Sequence, residues 1–180
     1  MTHPLRWVVI GVALAVAALA AVLAANVGRD PEDFSKSPLV GVRAPQLELA
    51  RLDGTKVTTA DLAGKTVVVN FWNSWCAPCK TELPVLKEWY EEHRDDPGVV
   101  MLGIPRSDTA EAIRKEAREE GIEWTVAHDR GAKQATIDFG TTGQPETYVI
   151  GPDGVVAGAL RGEVTRQMLD AMVARAQGTG

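Results

Sequence analysis

Apolar residues along the chain form several short continuous runs separated by turn residues. Such runs, when bounded by glycine, proline or aspartate, are typical of buried β-strands. Runs of this kind lie at 66–71, 99–104 and 123–127. Two further places predict hairpins: the Asp53-Gly54 turn between two short extended pieces, and the Pro-Asp-Gly turn within 147–160.

Between these runs, the apolar positions change to a spacing of three or four residues, which predicts amphipathic helices. Helices are predicted at 83–90, 109–120, 132–139 and 164–173. Asp108 stands just before the second of these segments and is predicted to be its N-cap. Strands that alternate with helices, followed by a hairpin and a last helix, predict an α/β fold with a mixed central sheet and helices on both faces.

The N-terminal part differs from the rest, because 19 residues at 7–25 carry no charge. As a helix they reach about 28 Å, close to the hydrocarbon thickness of a bilayer. We therefore expect a transmembrane helix that is retained as a signal anchor, and a cleaved signal peptide is the alternative. Residues 26–38, rich in charge and proline, are predicted to be a linker, and 39–180 are predicted to be one domain.

The charges indicate the orientation of this anchor. Arg6 precedes the apolar stretch, whereas acidic residues follow Arg29 soon after it, a bias that places residues 1–6 in the cytoplasm. The domain is then predicted to lie outside the cytoplasm, tethered to the cell membrane by a single pass. The chain from Arg29 onward contains all 24 acidic residues and 18 of the 19 basic ones, so its formal charge of −6 argues against a nucleic-acid partner.

The chain has two cysteines, Cys76 and Cys79, and both follow the strand at 66–71. Pro78 suits the first turn of a helix, so Cys76 is predicted to lie at a helix N-terminus, where the helix dipole stabilises a thiolate. This context favours a redox-active disulfide. A structural disulfide, a zinc site and two unrelated thiols are the alternatives, although a loop this short restrains little of the unfolded chain and zinc needs four ligands.

Two segments extend this interpretation: "APQLELARLDGTKVTTADLAGKTVVVNFWNSWCAPCKTELPVL", which begins at Ala44, and "GQPETYVIGPDGVV", which begins at Gly143. In these segments the chain resembles the membrane-anchored, thioredoxin-like thiol-disulfide oxidoreductases of the TlpA, ResA and CcmG (DsbE) type. The resemblance implies a thioredoxin-like fold with an N-terminal β extension. It also implies reduction of protein disulfides outside the cytoplasm, for example those of apocytochrome c during cytochrome c biogenesis, with a membrane electron donor of the CcdA or DsbD type and no cofactor or metal.

The resemblance also implies a role for each site residue. Cys76 attacks the client disulfide and Cys79 resolves the mixed disulfide. Glu82 lies three residues after Cys79, on a neighbouring position of the same helix. Asn70 stands where thioredoxins carry a buried acid, so Glu82 is predicted to serve the proton transfer of the second thiol, and a solvated carboxylate is the alternative.

Three further residues are predicted to bind the substrate. Pro145 matches the family's cis-proline beside the cysteine pair, and Gln144 before it is expected to offer backbone groups to a client strand. Trp75 is expected on the substrate-facing surface, with core packing as the alternative, whereas Trp72 is expected in the core. The chain departs from the family pattern at Gln144 and at Asn73.

Ala77 and Pro78 stand between the cysteines, and no histidine is there to stabilise the thiolate. The reduced form therefore gains little stability from its surroundings, and we expect the pair to act as a reductant. Copper delivery is the rival hypothesis, since two thiolates suit Cu(I), with only His128 to assist them. Peroxide reduction by a single cysteine is a third, but the threonine and proline arrangement that precedes the cysteine in such enzymes is missing.

Overall fold

The structure is a computed structural model that describes residues 3–27, 37–128 and 134–178. The chain divides into two units, Met1–Asp33 and Phe34–Gly180. Helix α1, His3–Val27, forms the first unit. Within the described residues, no helix combines the length and the apolar character that crossing a membrane requires. The predicted transmembrane helix and signal anchor stay predictions, and residues 28–36 of the predicted linker lie outside the described residues.

The second unit is built on a mixed sheet of seven strands. They are β1 (Glu48–Arg51), β2 (Lys56–Thr58), β3 (Thr66–Trp72), β4 (Val99–Pro105), β5 (Thr125–His128), β6 (Glu146–Ile150) and β7 (Val156–Arg161). The strand order is β2-β1-β5-β4-β3-β6-β7. Strands β3, β4 and β5 run parallel, and the other neighbours pair antiparallel. This is the mixed sheet that the strand and helix alternation predicts.

Four helices complete this unit: α2 (Ala77–His93), α3 (Ala110–Glu119), α4 (Gln134–Asp138) and α5 (Arg166–Ala176). A short 3-10 turn, Thr59–Leu62, follows β2. Each predicted helix and strand is present, and α2 begins six residues before its predicted start at residue 83. The hairpin β1–β2 turns at Asp53-Gly54, where Gly54 has a φ of 90° that other residues rarely adopt. It is the N-terminal β extension that the resemblance implied.

Alternate residues of the central strands lie on opposite faces of the sheet and belong to two separate hydrophobic cores. On one face, Val68 and Met101 pack with residues of α2, α3 and α5, including Leu86, Ile113 and Leu169. Because β3 to β4 and β4 to β5 both step in the same direction across the sheet, right-handed crossovers place α2 and α3 on this same face.

The opposite face is covered by α4 and by the chain before β2. Phe71 of β3 packs against Phe139 and Tyr148, with ring centroids 5.4 and 5.8 Å apart, and Leu49 and Ala135 belong to the same cluster. Helices therefore lie on both faces, as predicted. All seven residues of β3 are buried, which explains the continuous apolar run at its position in the sequence.

Truncating a central side chain is expected to leave a cavity. Leu102 of β4 is fully buried, so Leu102→Ala should lower the free energy of unfolding by about 2–5 kcal/mol. Val42 is half exposed, and Val42→Ala, as the control, should change it by about 0.5 kcal/mol or less. Urea unfolding at constant m-value measures both, and similar losses for the two variants would contradict this description of the core.

Candidate active site

Cys76 and Cys79 lie where β3 ends and α2 begins, and their sulfur atoms form a disulfide with Cα atoms 5.3 Å apart. Cys76 is the N-cap of α2, and its Sγ accepts a hydrogen bond from the backbone N–H of Cys79 at 3.2 Å. The prediction that Cys76 lies at the helix N-terminus is confirmed. On reduction, the same N–H and the helix dipole would stabilise a thiolate on Cys76.

The two cysteines differ in solvent exposure from the two residues between them. Cys76 and Cys79 are 4% and 7% exposed, whereas Ala77 and Pro78 are exposed. Pro78 occupies the first turn of α2, where its missing N–H leaves no intrahelical hydrogen bond unmade. The disulfide is therefore buried behind a small exposed loop.

The loop before Cys76 is held by the segment after β4. Asp108 Oδ2 accepts hydrogen bonds from Ser74 N at 2.8 Å and from Ser74 Oγ at 2.6 Å. The prediction that Asp108 caps α3 is therefore wrong. Thr109 is the N-cap, and its Oγ1 accepts from Ala112 N at 3.2 Å. Two adjacent residues can each cap a helix, and the tertiary contact with Ser74 decides between them.

A second link between these segments runs through Asn73. Its Oδ1 accepts a hydrogen bond from Ser107 N at 2.9 Å, and its carbonyl accepts from Cys76 N at 3.2 Å. This departure from the family pattern thus orients the backbone that leads into Cys76. Sequence reasoning identified Asn73 only as an unusual residue and missed Asp108 in this role, because both act through contacts more than 30 residues away.

The two tryptophans of this region have opposite environments. Trp72 is 6% exposed and belongs to the core with α2, as expected. Trp75 is 62% exposed, and its Nε1 donates to the carbonyl of Ser107 at 3.3 Å. Core packing is thereby excluded for Trp75, whose ring lies on the surface beside the disulfide, while substrate binding by it stays a prediction.

Glu82 lies one turn after Cys79 on α2 and is only 2% exposed. Its two oxygens accept hydrogen bonds from Asn70 Nδ2 and from Val164 N, both at 2.9 Å. The alternative of a solvated carboxylate is wrong. Burial raises the pKa of Glu82 to about 7, even though the hydrogen bonds from Val164 and Asn70 lower it.

The Gln144–Pro145 peptide bond is cis, as the resemblance implied. Glu146 pairs with Phe71 of β3, so this bond lies beside the end of β3 from which the cysteines follow. Pro145 is buried and its carbonyl accepts from Gly162 N at 2.9 Å, whereas Gln144 is half-buried. Their position suits a substrate-binding role, which stays a prediction.

Glu146, the first residue of β6, is a further buried acid. Its Oε1 accepts from Thr142 N at 2.8 Å and Gly143 N at 2.9 Å, and its Oε2 accepts from the hydroxyl of Tyr148 at 3.0 Å. These bonds hold the turn that precedes the cis bond. Glu146 therefore shapes the loop of Gln144 and Pro145, and the signal for it was the "PET" segment.

Among the described residues, no group of three or more histidine, cysteine, aspartate or glutamate side chains is arranged to hold a metal ion. His128, the histidine considered as a copper ligand, lies in β5 and pairs with Ala50 of β1.

Comparison with known proteins gives consistent matches to one family. Residues 40–159 match the AhpC/TSA family. The chain is 32% identical over 131 residues to the thiol-disulfide oxidoreductase ResA of Bacillus thuringiensis (strain Al Hakam), a match that covers 73% of this chain and 75% of the relative.

Solved structures match over a similar share of the chain. A thiol:disulfide interchange protein of the thioredoxin family from Chlorobium tepidum TLS has a TM-score of 0.65 and 28% identity, over 74% of this chain and 94% of that one. The structure of MTB dsbF in its mixed oxidized and reduced forms has a TM-score of 0.66 and 26% identity, over 74% and 99%. The fold is therefore thioredoxin-like.

The buried Glu82 is expected to make stability depend on pH. Its pKa is about 7 in the folded chain and 4.5 without burial, so the folded state binds more protons between these values and stability falls as pH rises through this window. Glu82→Gln should remove this fall, which amounts to about 2–4 kcal/mol. Urea unfolding of the oxidised chain between pH 4.5 and 8 measures it.

Glu88, on the exposed side of the same helix, provides the control. Glu88→Gln should keep the wild-type pH profile. A Glu82→Gln variant that retains the full decline of stability with pH would show that another group causes it.

Removing the carboxylate of Asp108 should destabilise the loop before Cys76. Asp108→Ala leaves the N–H and hydroxyl of Ser74 without their acceptor, and we expect a loss of about 1–3 kcal/mol in the free energy of unfolding. Glu111→Ala changes an exposed carboxylate in the first turn of α3 and should cost less than about 0.5 kcal/mol. Equal losses in urea unfolding would argue against the role assigned to Asp108.

Proposed function

The chain belongs to the AhpC/TSA family and is a thiol-disulfide oxidoreductase, and on this premise we propose that it reduces protein disulfides outside the cytoplasm. The observation that carries the proposal is the Cys76–Cys79 disulfide at the N-terminus of α2, with Glu82 buried one turn further on. A pair that is reversibly oxidised needs one stabilised thiolate and one proton acceptor, and this arrangement offers both.

The reaction begins with the reduced pair. The Cys76 thiolate attacks the client disulfide, forms a bond to one client sulfur and releases the other as a thiolate. Cys79 then gives up its proton, and its sulfur attacks Cys76. This step closes the Cys76–Cys79 disulfide and releases the second client thiolate, so two electrons pass from the enzyme to the client.

Glu82 is suited to accept the proton of Cys79. A carboxyl whose pKa is about 7 changes its protonation readily near neutral pH, whereas an exposed glutamate would stay ionised. Asn70, which takes the place of the buried acid of thioredoxins, donates a hydrogen bond to Glu82. The site therefore has a buried acid, as thioredoxins do, but this acid lies on α2 and not on β3.

The direction of electron flow follows from the loop between the cysteines. Ala77 and Pro78 offer no positive charge to the Cys76 thiolate, which the helix terminus and the Cys79 N–H stabilise. We infer a reductant for this reason. About 30 mV corresponds to about 1.4 kcal/mol in a two-electron couple, so a single charged contact would shift the potential measurably.

Tethering to the membrane is the second part of the proposal. It is supported by the uncharged stretch at 7–25 and by the exposure of large apolar side chains on α1, among them Trp7, Leu14 and Leu19. With Arg6 before the stretch, the N-terminus lies in the cytoplasm and the catalytic domain on the outer side of the cell membrane. A membrane electron donor of the CcdA or DsbD type would then reduce the pair again.

The clients are proteins with accessible disulfides, and we infer that apocytochrome c is among them, as the ResA resemblance suggests. An extended client segment would lie along Gln144, next to the cis bond, with the exposed ring of Trp75 on its other side.

Trapping tests the proposal directly. Cys79→Ser in the full chain cannot resolve the mixed disulfide, so client proteins should accumulate on Cys76 in cells of the source organism. Adducts should vanish on reduction, and mass spectrometry identifies the client and the modified sulfur. The matched control, Cys76→Ser, should trap far less, because the thiol that attacks is gone.

Recovery of no Cys76 adduct, in cells where the wild-type chain turns over, would reject the reductant. A copper titration of the reduced chain distinguishes disulfide reduction from copper delivery, the rival hypothesis. Tight Cu(I) binding together with absent adducts would favour copper delivery, and weak binding with adducts would favour disulfide reduction.

A further inference from the structure

A small pocket lies beneath the start of α2, between this helix and the sheet. Its volume is about 20 Å³, and its lining includes Cys79, Trp72, Asn73, Trp124 and Glu116. The pocket touches the second cysteine from the side of α3. It is thus separate from the exposed face of Trp75 and from the cis bond, which the proposed function assigns to the client.

Two indole N–H groups converge on this pocket from neighbouring strands. Trp72 is the last residue of β3 and Trp124 immediately precedes β5, and each is 6% exposed. The Nε1 atoms of both lie 3.0 Å from the point that a Cβ would occupy at Gly103 of β4. A Cβ at this distance would crowd both nitrogens, so glycine at position 103 allows the two indoles to pack together here.

Strand register explains the convergence. Asn70, Gly103 and Val126 pair side by side across β3, β4 and β5. Trp72 lies two residues after Asn70 and Trp124 two residues before Val126, so both side chains emerge on the same face of the sheet as α2.

These groups are buried donors without a protein acceptor. Within the described part of the chain, Trp72 Nε1, Trp124 Nε1 and Asn73 Nδ2 have no hydrogen-bond partner. The orientation of the Asn73 amide is set by Ser107 N, which donates to its Oδ1, so its Nδ2 is a true third donor. Buried polar groups are rarely left unpaired, and three in one pocket indicate a ligand that accepts hydrogen bonds.

We propose that this pocket is a binding site for one water molecule, held by the indole N–H groups of Trp72 and Trp124, which donates a hydrogen bond to the sulfur of Cys79. The inference rests on the proposed function, since it concerns the thiol that resolves the mixed disulfide. A water that accepts two hydrogen bonds still has two of its own to donate, and Cys79 lines the same pocket.

Size and charge both fit water. A pocket needs about 10–15 Å³ to hold one water molecule, and this one has about 20 Å³. The charged groups that line the pocket with Cys79 are Lys80 and Glu116, which form an ion pair at 2.5 Å; Cys76 is bonded to Cys79, and Glu82 lies three residues further along the same helix. The ion pair leaves no net positive charge to attract an anion, whereas water can also donate to Glu116.

The water would act when Cys79 becomes a thiolate. Its hydrogen bond stabilises the negative sulfur after the proton has passed to Glu82, and this sulfur then attacks Cys76 and displaces the client thiolate. Trp72, Trp124 and Gly103 are thus positioning residues, because they act on Cys79 through the water.

The test uses the reduced full chain in detergent, with Cys76→Ala so that one thiol titrates alone. The ¹³Cβ resonance of Cys79 is followed against pH. Gly103→Ala adds a Cβ that crowds both indole nitrogens and displaces them, and Trp124→Phe removes one donor while retaining an aromatic ring. Each variant should raise the midpoint of this titration by about one pH unit. Below the midpoint, the fraction of Cys79 present as thiolate is then about tenfold lower.

Trp89→Phe is the matched control. Its indole is also fully buried with an unpartnered Nε1, but it lies ten residues after Cys79 on α2, about 15 Å away along the helix. This variant should leave the midpoint unchanged.

A second readout detects the water itself. Cross-relaxation between water and the indole Hε1 protons of Trp72 and Trp124 should be present in the chain with Gly103 and lost in Gly103→Ala. Absence of this signal, indole shifts that depend on chloride, or an unchanged midpoint in Trp124→Phe would each overturn the proposal. None of these measurements needs a client, so their failure is distinct from failure of the trapping experiment.

Discussion

The hydrogen bond from Cys79 N–H to Cys76 Sγ joins the fold to its chemistry. It exists because β3 ends at Trp72 and α2 begins at Ala77, which leaves Cys76 as the N-cap. A sulfur at this position takes the place of the usual capping oxygen and meets the unpaired N–H groups of the first turn. The same terminus that needs an acceptor for its stability thereby stabilises a negative sulfur. The capping requirement of a helix and the reactivity of a thiol are met by one atom.

The backbone that carries Cys76 is oriented from outside its own segment. Asp108 binds Ser74, and Asn73 binds Ser107, so the loop after β4 supports the loop after β3 on two sides. Because β3 and β4 run parallel, their carboxyl ends meet at one edge of the sheet, where such contacts can form. On the other side of β3, Glu146 orders the turn before the cis bond. The cysteine pair is thus positioned by rigid neighbours and not by its own short loop.

The burial of Glu82 shows that this site lowers the stability of the folded chain. Burying a carboxyl disfavours its ionised form, and its pKa of about 7 means that part of the folding free energy is given up as the pH rises. In return, the chain holds, one turn from Cys79, the carboxyl that we propose as its proton acceptor. Asn70 and Val164 donate to both oxygens, so the ionised carboxylate, once formed, is not left without partners. This balance is what a group that must change protonation near neutral pH requires.

The sequence alone determined the order of strands and helices, the position of Cys76 at a helix terminus and the redox interpretation of the pair, because hydrophobic spacing, Pro78 and the Cys-X-X-Cys pattern are local signals. Only the tertiary structure decided the contacts of Asp108 and Asn73 and the burial of Glu82. A carboxylate looks the same in the sequence whether it caps a helix, faces solvent or lies buried, and its partners here are 12 to 82 residues away. The alignment of Trp72, Gly103 and Trp124 was likewise invisible in the sequence, since strand register brings together residues from three separate segments.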